Sequence, residues 1–176
     1  VARQAIEAGA DMVNDVSGLR DSEMVKVVLD SGCAVCIMHM QGNPLTMQNK
    51  PTYGSVTEEV LGFLKLRSDA LISAGVARER IIVDPGFGFG KTLQHNMQLL
   101  SNVCRFSDLG FPVLVGLSRK SMFADILNKP VDERLFGSIS AAAIAAFQGA
   151  NIVRVHDVQE TKDAMLVVDS VRRFSV

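Results

Sequence analysis

The chain has 176 residues, 48% hydrophobic and 21% charged, which suits one α/β domain and leaves no room for a second. With 18 basic against 19 acidic side chains and a formal net charge of −1, it offers no basic surface to nucleic acid or to an anionic membrane. No apolar run approaches the roughly 18 residues of a membrane span and no basic-then-apolar leader opens the chain, so a cytoplasmic location is expected.

Val1, Ala2, Ala5 and Ile6, stopped by Gly9, read as a helix already under way with neither Met nor strand before it, and so as part of something longer. An apolar strand over 10–16 is interrupted near its end by Asn14-Asp15. Asp21-Ser22 caps a helix that turns Met24, Val27, Val28 and Ser31 to one face. The second strand, 34–40, ends in Met38-His39-Met40. Cys33 and Cys36 form a Cys-x-x-Cys in or beside this run. Positions i and i+3 point to opposite faces of a strand, so these and Cys104 read as reduced structural thiols rather than a metal or redox pair. The polar stretch 41–53 is too irregular for regular structure and is a candidate active-site loop. Ser55-x-x-Glu58 is a capping box for a helix buried through Val60, Leu64, Leu71 and Ala74 and closed by Gly75.

The third strand, 81–84, ends on a carboxylate, and Pro85-Gly86-Phe87-Gly88-Phe89-Gly90 then forbids further regular structure. A buried carboxylate without partners costs several kcal/mol, roughly, so Asp84 belongs with bound donors or at an open rim. Two motif readings fail on spacing. A P-loop ending at Gly90-Lys91-Thr92 needs a glycine where Pro85 stands, and a dinucleotide fingerprint from Gly86 needs Gly or Ala where Lys91 stands. The glycines instead let Phe87 and Phe89 lean over whatever Asp84 holds. A helix over 93–106 leads to a fourth strand, 112–117, ending in Ser118-Arg119-Lys120. Helices near 121–127 and 133–148 are split by Asn128-Lys129-Pro130. The fifth strand, 151–155, runs into His156-Asp157, and Asp157-x-x-Glu160 caps a last helix with Thr161, Met165 and Val168 on one face.

Five strand-helix repeats mean parallel strands with right-handed crossovers, so all five carboxyl ends open on one side. Those ends carry Asn14-Asp15, His39, Asp84, Ser118-Arg119-Lys120, and Arg154 with His156. Ligands bind at that rim both in a (β/α)8 barrel and in an open sheet. A flavodoxin-like sheet fits five units, but the start inside a helix favours the last five units of a barrel of ~250 residues. Arg154 and His156, at i and i+2, share a face and suit an anion; a salt bridge and a helix cap are the bland readings. Ser118 and Lys120 repeat that spacing, with Arg119 pointing elsewhere. Lys120 either neutralises a leaving anion or lies over a ring, against the alternative of a solvated lysine. Asn14 and Asp84 offer an amide and a carboxylate suited to an amino-pyrimidinone edge, although Asn14 alone is as well explained by a turn. His39 between two methionines reads as a core histidine. Met38 and Phe89 are apolar walls for a ring, with core packing an equal account of Met38.

Asn14-Asp15-Val16, the segment from Met38 to Pro44, the segment from Asp84 to Lys91, Gly116-Leu117-Ser118-Arg119-Lys120-Ser121, and Arg154-Val155-His156-Asp157 together resemble the bacterial-type dihydropteroate synthases. The five motifs come in order over nearly the whole chain. The resemblance implies that 1–176 is a pterin-binding domain, a partial TIM barrel with about five of its eight βα units. It further implies a transferase of folate synthesis that joins dihydropterin diphosphate to 4-aminobenzoate, giving dihydropteroate and diphosphate, with sulfonamides competing for the second substrate. By the same resemblance Asn14 and Asp84 bond the pterin, Met38, Phe89 and Gly116 line its slot, and Lys120 contacts the ring, with Lys120 and Asp84 the catalytic pair. Arg154 and His156, with Ser118 nearby, take the diphosphate; Ser121, Phe89 and Lys120 face the aminobenzoate.

Members of that family have three earlier strands, which supply a metal-linked Asn, a mobile Ser/Thr-Arg-Pro loop and an Asp-Thr-Ser segment. Mg2+ is thus implied with its protein ligand outside these residues, and the polypeptide alone is expected to be inactive and poorly stable. The family pairs through its later helices, so a homodimer is expected, with no nucleic-acid or membrane partner. Two other readings stay open: a pterin-barrel methyltransferase acting on a reduced methyl-folate, and a non-catalytic pterin-binding piece. The Arg154-x-His156 anion pair speaks against the methyltransferase, which has no diphosphate to hold.

Overall fold

The structure, a computed structural model, describes residues 1–174. Helix α1 (Ala2–Glu7) precedes strand β1 (Met12–Asp15), and α2 (Ser22–Ser31) leads to β2 (Ala34–Met38). Helix α3 (Val56–Ser73) leads to β3 (Ile81–Asp84), and α4 (Leu93–Ser101) with α5 (Val103–Ser107) to β4 (Leu114–Val115). Helices α6 (Met122–Leu127) and α7 (Leu135–Phe147) come before β5 (Ile152–Val153), and α8 (Val158–Arg173) follows it. Every pairing is parallel, β1 to β2 to β3 and β4 to β5, and a bridge between Val83 and Val113 joins the two groups. The strands therefore lie side by side in sequence order. An open doubly wound sheet reverses its order at a switch point, whereas sequential order throughout is the arc of a (β/α)8 barrel.

The pleat sorts side chains onto two faces. Val35, Ile37, Ile81, Val83, Val113 and Val115, each at most 1% exposed, pack outward against Val60, Leu64 and Leu71 of α3, Leu99 of α4 and Ala145 of α7. At roughly 25 cal/mol per Å² of apolar surface removed from water, this helix-covered layer is the main source of stability. The alternate positions, Asn14, Cys36, Met38, Ile82 and Asp84, face the other way. Registers of Asn14 with Cys36 and Met38 with Asp84 keep them in line across the sheet.

The expected strands are shortened at their ends. β4 and β5 are two residues each rather than 112–117 and 151–155; at their leading ends a side chain takes over where a ladder bond would begin, Val113 N donating to Asn151 Oδ1 at 2.8 Å. β1 and β2 stop at Asp15 and Met38, short of 16 and 40. The expected 93–106 helix breaks at Asn102, and the 133–148 helix starts at Leu135 after a tight turn over Val131–Glu133.

Capping was only partly as expected. Asp21 accepts Glu23 N at 2.9 Å. At α3 it is Glu59, not Glu58, that reaches back, taking the N–H groups of Gly54 and Ser55 at 2.7 and 3.2 Å, while Glu58 pairs with Arg105 and Ser55 caps nothing. Asp157 does not cap α8 either; its carboxylate is engaged by Arg119. An unforeseen capping box sits at α4, where Thr92 and His95 exchange bonds of 3.2 Å.

Candidate functional site

Asp84 closes β3 at 2% exposure, and the chain folds back at once so that Gly86 N donates to Asp84 Oδ1 at 2.7 Å. Gly86 has φ +71°, and a Cβ there would lie 1.9 Å from the His39 carbonyl oxygen, so the close approach of this loop to the end of β2 requires glycine. Burial raises the carboxyl's pKa, against the pull of the Gly86 N–H, Lys120, Arg154 and Lys91. The Cys36 thiol on the same face is pushed up by burial first and by Asp84 second, so it stays protonated and inert.

Beyond Gly86 the two aromatics part. Phe87 is wholly buried in the outer core, contrary to the expectation that it leans over the site, because its side chain falls on the helix-covered side of the loop. Phe89 stays at the rim, its ring centroid 4.8 Å from Lys120 Nζ, and that ammonium also donates to the Phe87 carbonyl oxygen. Burial brings Lys120 down to about 8, with Asp84 opposing and Arg154 adding to the shift.

The loop after β4 presents Ser118 and Lys120 inward. Ser118 Oγ accepts the His156 N–H at 3.2 Å and lies 3.0 Å from His156 Nδ1, so strands β4 and β5 are tied at their ends. Gly116, Ser118, Lys120, Arg154, Val155 and His156 line one cavity of about 270 Å³. Arg154 makes no ion pair among the described residues, and a Cβ at Gly116 would come within 3.4 Å of its Nη2. The bland readings of Arg154 as a salt bridge and of His156 as a cap are both overturned.

Met38, 1% exposed, stands opposite Asp84 in register. Asn14 sits within β1, which removes the turn reading, and its buried Oδ1 has no hydrogen-bond partner. It borders a hollow shared with α1 rather than the cavity of Arg154 and His156. Ser121, exposed at the head of α6, also lies apart, in a polar hollow of about 230 Å³ shared with Gln48, Lys91, Thr92, Asn96 and Asp125. Among the described residues no group of three or more His, Cys, Asp or Glu is placed to hold a metal ion.

Sequence reasoning missed Lys91. The residue is 3% exposed, and its ammonium is ringed by the carbonyl oxygens of Gly86 at 2.9 Å, Phe89 at 3.1 Å and His39 at 3.3 Å, with His39 Nδ1 at 3.0 Å. Burial brings it down to about 7, and the His39 imidazole down to about 3, so the ring accepts at Nδ1 as a neutral base. His39 is the core histidine expected, edge-on to Phe63 at 5.1 Å. The available signal was a single lysine ending a glycine-rich loop, where three carbonyls in tight turns need a donor. The 41–53 stretch is indeed irregular, and it is stitched to the same loop: Gln48 Nε2 donates to Gly88 O at 2.6 Å and Tyr53 OH to Gly90 O at 2.7 Å.

Comparison with known proteins gives one consistent family. A family profile described as pterin binding enzyme matches residues 1–156. The chain is similar to the dihydropteroate synthase of Haemophilus influenzae, 48% identical over 167 residues that cover 95% of this chain and 61% of that protein. A Yersinia pestis dihydropteroate synthase solved with a sulfonamide drug superposes with a TM-score of 0.96 at 41% identity, covering 98% of this chain and 63% of that one. The Thermus thermophilus dihydropteroate synthase solved with 4-aminobenzoate gives 0.92 at 40% identity, covering 97% and 66%. The chain thus spans about 60% of the length of the curated relatives it matches.

Proposed function

The chain belongs to the pterin-binding enzyme family, and from that premise we propose that it carries the pterin- and diphosphate-holding side of a dihydropteroate synthase, a transferase of folate synthesis. The observation that carries the reading is the meeting of one buried carboxylate, Asp84, with Lys120 and Arg154 beside a cavity that Ser118 and His156 complete. In this reading Asp84 accepts two N–H groups from the pterin's amino-pyrimidinone edge, and Asn14 meets the same ring through its unpartnered oxygen. Met38, Phe89 and Gly116 form the walls of the slot. Arg154, His156 and Ser118 grip the diphosphate, while Ser121, Phe89 and Lys120 face the aminobenzoate.

The chemistry follows from those placements. The carbon–oxygen bond to diphosphate breaks as Arg154, His156 and Lys120 stabilise the departing anion. Asp84 offsets the positive charge left on the pterin methylene, and the arylamine nitrogen attacks and loses a proton, giving dihydropteroate. Mg2+ on the diphosphate belongs to the proposal, but these residues offer it no ligand set and no step here is routed through it. A homodimer is proposed on the apolar surface that α7 and α8 leave exposed, with Phe136 74%, Phe147 55% and Val167 65% exposed. The cytoplasm is the proposed compartment; among the described residues no helix is long and apolar enough to cross a membrane.

The test is calorimetric titration with a dihydropterin diphosphate analogue, on the unsubstituted protein and on Asp84→Asn. Binding that the substitution weakens about 100-fold, as loss of a charged double acceptor does, supports the assignment. A folded chain that binds no pterin overturns it. Binding without release of diphosphate on adding 4-aminobenzoate reduces the role to pterin capture.

A further inference from the structure

The loop from Gly86 to Phe89 carries two features the proposed site needs, the Phe89 ring and the Phe87 carbonyl that receives Lys120, and its own anchorage is a separate buried side chain. That anchorage is Lys91. An ammonium has three protons, and here it faces three carbonyl oxygens and one imidazole nitrogen, all within 3.3 Å, in a residue that is 3% exposed. Gly86 and Phe89 belong to the loop itself, while His39 belongs to the end of β2. The cation therefore fastens the loop both to itself and to the neighbouring strand. No other single side chain among the described residues bonds both segments through so many acceptors. A buried ammonium is costly unless fully partnered, so its presence in a packed loop calls for a role.

We propose that Lys91 is a positioning residue for the pterin slot: its ammonium sets the height of the Gly86–Phe89 loop and, through the Phe87 carbonyl and the Phe89 ring, the place of Lys120. The inference rests on the proposed pterin site and deepens it. It separates two halves of that site. The slot walls next to the loop depend on Lys91, whereas the anion grip of Arg154, His156 and Ser118 is built by β4 and β5 and makes no contact with it. The charged and titratable groups facing Lys91 are His39 from β2, Asp84 from β3, Lys120 from the β4 loop, His95 from α4 and Asp125 from α6. Asn96 braces the same loop without charge, taking Gly88 N at 2.8 Å.

The experiment is calorimetric titration of the unsubstituted protein, Lys91→Met and Lys91→Gln with two probes, a dihydropterin lacking diphosphate and inorganic diphosphate alone. Lys91→Met is expected to weaken the pterin about tenfold, Lys91→Gln less because it keeps two N–H donors, with stoichiometry unchanged and diphosphate weakened clearly less than pterin, since only Lys120 of its partners depends on the loop. Lys91→Gln also supplies the answer where Lys91→Met fails to fold. Equal pterin affinity in a folded variant overturns the proposal. So does parallel weakening of both probes, or a fall in stoichiometry alone, since each reports general structural damage. An unsubstituted protein that binds diphosphate but no pterin removes the functional reading itself, and this one with it.

Discussion

Arg119 Nε donates to Asp157 Oδ2 at 3.1 Å, and a second guanidinium nitrogen bonds Asp157 Oδ1, a two-pronged pair between the β4 loop and the first residue before α8. Arg119 adopts φ +57°, a backbone state that L residues avoid unless their surroundings impose it. The imposing contacts are Asp157, the Ser138 hydroxyl that accepts Arg119 N at 2.9 Å, and Arg134, which donates to Arg119 O at 3.2 Å. With Arg119 turned outward, its neighbours Ser118 and Lys120 turn inward. The guanidinium holds the Asp157 carboxyl below the usual carboxylate range.

Asp157→Ala is therefore expected to loosen the Ser118–Lys120 turn without touching the cavity wall, and to weaken inorganic diphosphate about three- to tenfold. Arg119→Gly, which accepts φ +57° without strain, is expected to lose less. Titration of both variants checks the order. Equal losses would mean that the ion pair, not the backbone state, sets the turn.

Two glycines separate close approach from mere helix interior. Gly86→Ala places a Cβ 1.9 Å from His39 O at φ +71°, and a loss of about 3 kcal/mol or more is expected. Gly62 lies exposed inside α3 with nothing within 4 Å of an added Cβ, so Gly62→Ala is expected to gain about 0.5–1 kcal/mol. Urea unfolding of both variants measures the contrast.

The two aromatics of the glycine loop divide the same way. Phe87 is completely buried, so Phe87→Ala is expected to cost about 3–5 kcal/mol by emptying the core. Phe89 stands at the rim under Lys120, and Phe89→Ala is expected to change stability by about 1 kcal/mol or less while weakening pterin binding. A large stability loss for Phe89→Ala would move it from the site into the core.

How far the sequence could be read follows from the range of the forces involved. Strand and helix positions came from hydrophobic period, and the rim of polar strand ends from parallel topology alone, because both are local or repeat at fixed spacing. Asp84, Lys120, Arg154 and His156 were legible as residues that break an apolar run where a strand stops. What was illegible depends on partners far along the chain. Asp157 reads locally as a cap, and only the fold brings Arg119, 38 residues away, to claim it. Phe87 and Phe89 look alike in sequence and differ by which side of a loop each falls on. Lys91 stands in the sequence only as the residue that ends a glycine loop, and its burial depends on His39, 52 residues earlier.

The buried imidazole gives the acid behaviour of the fold a sign. Burial, then Lys91 and Arg20, lower His39 from its ordinary 6.5 to about 3 in the folded protein. A group whose folded pKa is depressed is protonated more readily in the unfolded chain. Its contribution is complete above about 6.5 and is lost as pH falls toward 3, at up to about 1.4 kcal/mol per pH unit. Asp84 works against this, because its raised pKa makes the folded state take a proton first, so acid favours the folded form through that group. Comparing the protein with His39→Gln cancels Asp84 and the other carboxyls. Unfolding free energies from urea at pH 7, 6, 5 and 4.5 are expected to fall more steeply for the unsubstituted protein, by about 2.5 kcal/mol over that range. Parallel curves would show that the ring takes up its proton inside the fold without cost, and that the Lys91 ammonium beside it gives way first.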